Sequence, residues 1–91
     1  MAHFGPNEVG FAVCRMSNRR LTHGPVSVGT PTNVYIDVQC PKGSQFEYLF
    51  HTHPGGVPVP SPVDVRSARL SGARGLCIDA DGAMRCYKMR R

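Results

Sequence analysis

The sequence predicts an α/β domain. Three observations carry that expectation: apolar runs of strand length through both halves of the chain, a single well-signalled helix start at Ser61-Pro62, and an Asp81-Gly82 pair between two apolar runs. With 91 residues the chain makes one compact domain spanning 1–91. A domain of this size buries only about 60–65% of its unfolded surface, so its core gains from additional staples.

The elements follow in order. Residues 8–15 (Glu-Val-Gly-Phe-Ala-Val-Cys-Arg) are mostly apolar and suit a buried strand. Residues 16–32, rich in Asn, Arg, Gly, Pro and Thr, read as loop with one short strand around Val26 and Val28. Asn33 to Gln39 alternates, with Val34, Ile36 and Val38 on one face, as a half-buried strand should. A turn over Pro41-Lys42-Gly43-Ser44 would join it to an aromatic-rich strand beginning at Phe46, and 33–39 with 46–53 would form an antiparallel hairpin.

Pro54 to Pro60 holds three prolines in seven positions and reads as a stiffened loop. Ser61 as N-cap with Pro62 at the first helical position opens a helix expected to run from Pro62 to Ser71 and to stop near Gly72. Val63, Ala68 and Leu70 are its candidate packing residues. Strands at 75–80 and 83–89 complete the chain around the Asp81-Gly82 turn. Cys77 and Cys86 are equidistant from that turn and fall opposite each other in a non-hydrogen-bonded pair. They are either a cross-strand disulfide or two small buried thiols. Cys14 and Cys40 read as small core groups rather than ligands.

The composition narrows the class of protein. An apolar content of 41% belongs to a globular chain, not a disordered one. No apolar run reaches the ~18 residues of a membrane span, and the N-terminus lacks a signal peptide's apolar region. A soluble, cytoplasmic protein without a membrane partner is the expectation. Eleven basic residues against six acidic ones give a charge of +5. The basic groups are scattered, without interleaved aromatics, so they read as a solvated surface rather than a nucleic-acid interface. The exposed sheet edges of so small a domain are compatible with a homodimer.

The chemistry concentrates at His51-Thr52-His53, Ser61 and Asp64. Histidines at i and i+2 on a strand share a face, about 6–7 Å apart, so both imidazoles can reach one ion at about 2.0–2.1 Å. The Pro/Gly loop turns the chain so that a helix begins beside them, with Asp64 in its first turn. Two imidazoles and one carboxylate suit zinc, one ion per chain, with a fourth position open for catalysis. Ser-x-x-Asp also resembles a capping box, so Ser61 and Asp64 have a structural reading as well. Ser61 can cap the helix and donate its hydroxyl to an oxyanion.

A zinc hydrolase also needs a base to take a proton from the metal-bound water, and the chain has only two glutamates, Glu8 and Glu47. Glu47 lies four residues before His51, about 13 Å along a strand, which is too far. Glu8 opens a different strand that sheet pairing can bring to the metal, and is the expected base. His3 and His23 fall outside ligand spacing and read as surface residues.

His51-Thr52-His53, Ser61 and Asp64 resemble the JAMM motif of the MPN/JAB metalloprotease family, and the stretch HTHPGGVPVPSPVD is similar to the corresponding segment of RadC-type proteins, which share that domain. Glu8-Val9-Gly10-Phe11 is similar to the family's glutamate-containing strand start. The resemblance implies a cytidine-deaminase-like α/β fold with a mixed sheet, zinc on His51, His53 and Asp64, Glu8 acting on water, and Ser61 steadying the oxyanion. It implies hydrolysis of an amide or isopeptide bond at the C-terminal tail of a ubiquitin-like or sulfur-carrier protein, a deubiquitinase-like activity. So short a chain would grip that tail through sheet edges and short loops. The alternatives are a non-catalytic MPN scaffold and a RadC-like nucleic-acid-associated protein.

Overall fold

A computed structural model describes residues 5–89. His3 lies outside them. The elements are β1 (Val9–Met16), β2 (Leu21–His23), β3 (Ser27–Val28), β4 (Ser44–Thr52), α1 (Pro62–Ser71), β5 (Gly75–Ala80) and β6 (Ala83–Lys88). The strands form one sheet in the order β2-β1-β4-β5-β6, with β3 also paired to β1. β4 runs antiparallel to β1 and parallel to β5, and β5 antiparallel to β6, so the fold is α/β, with a mixed sheet and, among the described residues, one helix. Among the described residues no helix is long and apolar enough to cross a membrane.

The helix forms over the expected span because its ends carry their own instructions. Ser61 Oγ accepts from the Asp64 amide at 3.1 Å, and Asp64 Oδ2 accepts from the Ser61 amide at 2.8 Å, a reciprocal capping box. Gly72 stops the helix at φ 77°, a left-handed conformation that a side chain would oppose. Its buried face differs from the expected one. Ala68 is fully buried, while Val63 and Leu70 are 64% and 78% exposed. The helix turns Asp64, Val65, Ala68 and Ser71 inward, one stripe at i, i+1, i+4 and i+7, with Ala68 seated on the sheet and Asp64 on the side of the histidines. Ala68 packs with Leu49, Ala73, Leu76 and Ile78, and Ile36, Phe46 and Tyr87 border that core.

The hairpin expected between 33–39 and 46–53 does not form. A strand has two edges, and β4 gives one to β1 and the other to β5. The 33–39 segment instead crosses the helix-bearing face of the sheet in no strand. Ile36 packs on the core, and a Cβ at Gly10 would meet Ile36 Cγ1 at 2.8 Å, so the bare glycine lets the segment approach β1. Tyr35 points away, 88% exposed. The strand β2 was not expected. Its three residues pair with Val13, Cys14 and Arg15 across a turn in which Arg19 takes φ 71°. β3 fits the short strand expected near Val28.

Asp81 and Gly82 have φ of 51° and 97°, the two left-handed residues of a tight hairpin turn. The register pairs Cys77 with Cys86, and these form a disulfide with Cα atoms 4.0 Å apart. Cys14 and Cys40, expected as separate core groups, form a second disulfide that clamps the end of the 33–39 segment onto β1. Cys14 is fully buried as a core group should be, whereas Cys40 is only partly buried, and the two are joined rather than separate.

Candidate metal centre

His51 lies near the end of β4 and His53 directly after it, just before Pro54 interrupts the chain. Period-2 geometry puts both on the face that carries Leu49 and α1. Their rings meet edge to face with centroids 4.8 Å apart. His51 sits between Gly10 of β1 and Ile78 of β5 and is 4% exposed. His53 is just past the strand and continues its path, donating its amide to the Asp79 carbonyl at 2.9 Å.

Glu8 arrives through sheet pairing. Its amide donates to Thr30 O and its carbonyl accepts from the Gly29 amide, both at 2.8 Å. The following amide, of Val9, donates to Thr52 Oγ1 at 2.9 Å. The glutamate is thereby pinned beside the histidine strand, 6% exposed, with Oε1 3.3 Å from His51 Nδ1. Glu8, His51 and His53 each offer a ligand atom within 4.8 Å of the others and together could hold a metal ion.

Asp64 completes the cluster from the first turn of α1. Its Oδ2 lies 3.2 Å from His53 Nε2 and 3.7 Å from His51 Nε2. His53 Nδ1 faces the Val57 carbonyl at 3.0 Å, and a carbonyl can only accept, so the N–H of a neutral His53 sits on Nδ1. A carboxylate at Glu8 likewise places the N–H of neutral His51 on Nδ1. Both Nε2 atoms then present lone pairs to an Asp64 oxygen that is itself an acceptor. Among the described residues the buried His51 Nε2 has no hydrogen-bond partner. A positive centre is needed between these three atoms, either a metal ion or a proton on His53 Nε2, whose 3.2 Å contact with Asp64 Oδ2 is of hydrogen-bond length. Ligands at 2.0–2.1 Å from a tetrahedral ion are roughly 3.3 Å apart, close to the observed separations.

Ser61, exposed at the helix start, spends an oxygen lone pair on its cap and keeps its hydroxyl hydrogen for another acceptor. Glu47 is elsewhere, paired with Arg15 Nε at 2.9 Å beside the irregularity in the β1–β4 pairing. His23 packs its ring on Phe11 with centroids 5.0 Å apart, away from the cluster. Thr52, which anchors the backbone next to Glu8, and the Val57 carbonyl, which sets the His53 tautomer, had no signal in the sequence, since both act through pairings that only the fold creates. No protein-family model, curated protein or solved structure matches the chain.

Proposed function

We propose that this chain is a zinc metallo-isopeptidase or peptidase of JAMM/MPN type, hydrolysing an amide bond at the C-terminal tail of a ubiquitin-like or sulfur-carrier protein. The observation that carries the reading is the buried, partnerless His51 Nε2 facing Asp64 Oδ2, with His53 Nε2 on the same oxygen. The family resemblance of His51-Thr52-His53, Ser61 and Asp64 supplies the reaction class, and the donor set of two imidazoles and one carboxylate fits zinc.

His51, His53 and Asp64 hold the ion in this reading, and zinc supplies Lewis acidity toward water and the amide carbonyl. Glu8, with a carboxylate oxygen within 4.8 Å of a nitrogen of each histidine, is within one water's reach of the centre. It takes the proton from the attacking water and returns it to the leaving amine. The Ser61 hydroxyl donates to the oxyanion that develops on the substrate carbonyl.

The test combines zinc content with cleavage of a ubiquitin-like protein bearing a C-terminal amide-linked reporter. Wild type should bind about one zinc per chain and release the reporter. Glu8→Gln should retain zinc and lose cleavage by at least about 100-fold, whereas Glu47→Gln should match wild type. Absence of zinc uptake by the wild type, or full activity in Glu8→Gln, would overturn the assignment.

A further inference from the structure

The loop between His53 and α1 has little packing to hold it. Val57 and Val59 are 63% and 55% exposed, yet the Val57 carbonyl must stay on His53 Nδ1 for the other ring nitrogen to face Asp64. One restraint is internal, the Gly56 amide donating to His53 O at 3.0 Å. Two others come from the β5–β6 hairpin. Asp81 Oδ2, at its turn, accepts from the Gly55 amide at 2.9 Å, and the Tyr87 hydroxyl donates to the Pro58 carbonyl. The two anchors bracket Val57. Only Gly56 and Val57 lie between the anchored residues, and Pro58 restricts the backbone on both sides of its bond to Val57, so fixing two points sets the carbonyl between them.

We propose that Asp81 and Tyr87 are positioning residues for the metal centre: they strap the 54–60 loop to the β5–β6 hairpin, hold the Val57 carbonyl on His53 Nδ1, and so direct His53 Nε2 toward the metal. The metal part of this inference rests on the function proposed above, but the control of the ring does not. Tyr87 is the stronger anchor, because its hydroxyl is part-buried and its ring is already seated against the core. The Asp81 bond is exposed to competing water.

The test uses the whole chain. Metal-free Tyr87→Phe, Asp81→Ala and Asp81→Asn proteins are compared with wild type by imidazole nitrogen NMR and then titrated with Zn2+ against a chromophoric chelator. Wild-type His53 should keep a proton on Nδ1, hydrogen-bonded to the Val57 carbonyl, whether or not Nε2 also carries one toward Asp64. In Tyr87→Phe, which keeps the ring and its packing, His53 should move to a mixture of tautomers while His51, held by Glu8, stays unchanged. Zinc affinity should fall about tenfold, the scale seen when a group that orients a metal-bound histidine is removed. Asp81→Ala should produce a smaller loss in the same direction, and Asp81→Asn, which keeps an oxygen acceptor, should restore wild-type behaviour. An unchanged His53 tautomer in both Tyr87→Phe and Asp81→Ala would overturn the proposal. Failure of the wild type to take up zinc would overturn the metal reading alone, since the tautomer is read without metal.

Discussion

Replacing Asp64 with alanine removes two interactions that a single experiment can separate. The first is structural: Asp64 Oδ2 closes the capping box on the Ser61 amide and places a negative charge in the first turn of α1. Loss of that bond and of the charge–dipole attraction costs about 1–2 kcal/mol. In a domain of this size that lowers Tm by roughly 4–15 °C. The second is the metal. Zinc at about 100 times its Kd stabilises a folded chain by about 2.7 kcal/mol, which should add roughly 10–20 °C to the wild-type Tm.

The unfolded chain competes weakly, because all four cysteines are in disulfides and offer no thiolate. Asp64→Ala should therefore melt below wild type in chelator and gain little from zinc. Ser61→Ala removes the other half of the capping box, about 1 kcal/mol, but no proposed ligand. It should lose a similar amount in chelator and keep the whole zinc increment. Thermal melts of the three proteins, with and without zinc, make the comparison. An Asp64→Ala protein with the full zinc increment would refute Asp64 as a ligand, and a Ser61→Ala protein without it would refute the separation of the two roles.

Further outcomes concern the scaffold. By chain entropy, replacing both cysteines of Cys14–Cys40, 26 positions apart, with serine should cost about 3.5 kcal/mol, and the same change at Cys77–Cys86, 9 apart, about 2.7 kcal/mol; denaturant midpoints should rank them in that order. Gly24→Ala would drive a Cβ into the Gln39 carbonyl and should destabilise by about 1–3 kcal/mol, whereas Gly56→Ala, whose Cβ meets its nearest atoms at 3.5 Å, should lie within about 0.5 kcal/mol of wild type in urea unfolding. Ile78→Ala, at a fully buried position beside His51, should cost about 2–5 kcal/mol and can be followed by calorimetry.

Features written within a few residues of each other could be read directly from the chain. The span of α1 follows from Ser61, Pro62 and Gly72, and the β5–β6 hairpin with its facing cysteines follows from Asp81-Gly82. The common face of His51 and His53 follows from strand periodicity. Each depends on backbone geometry that local residue types control. Tertiary structure decided what depends on competition between distant segments. Val34, Ile36 and Val38 alternate as a strand should, but β1 and β5 occupy both edges of β4, so the segment crosses the sheet face instead. That crossing brings Cys40 to Cys14. Likewise α1 was legible as a helix, but its inward face is the one that seats Ala68 on Leu49, Leu76 and Ile78, which leaves Leu70 in solvent. Glu8 reaches His51 across 43 positions of sequence, and Tyr87 reaches Pro58 across 29. No local pattern encodes such contacts, because they exist only once the strand order has been chosen.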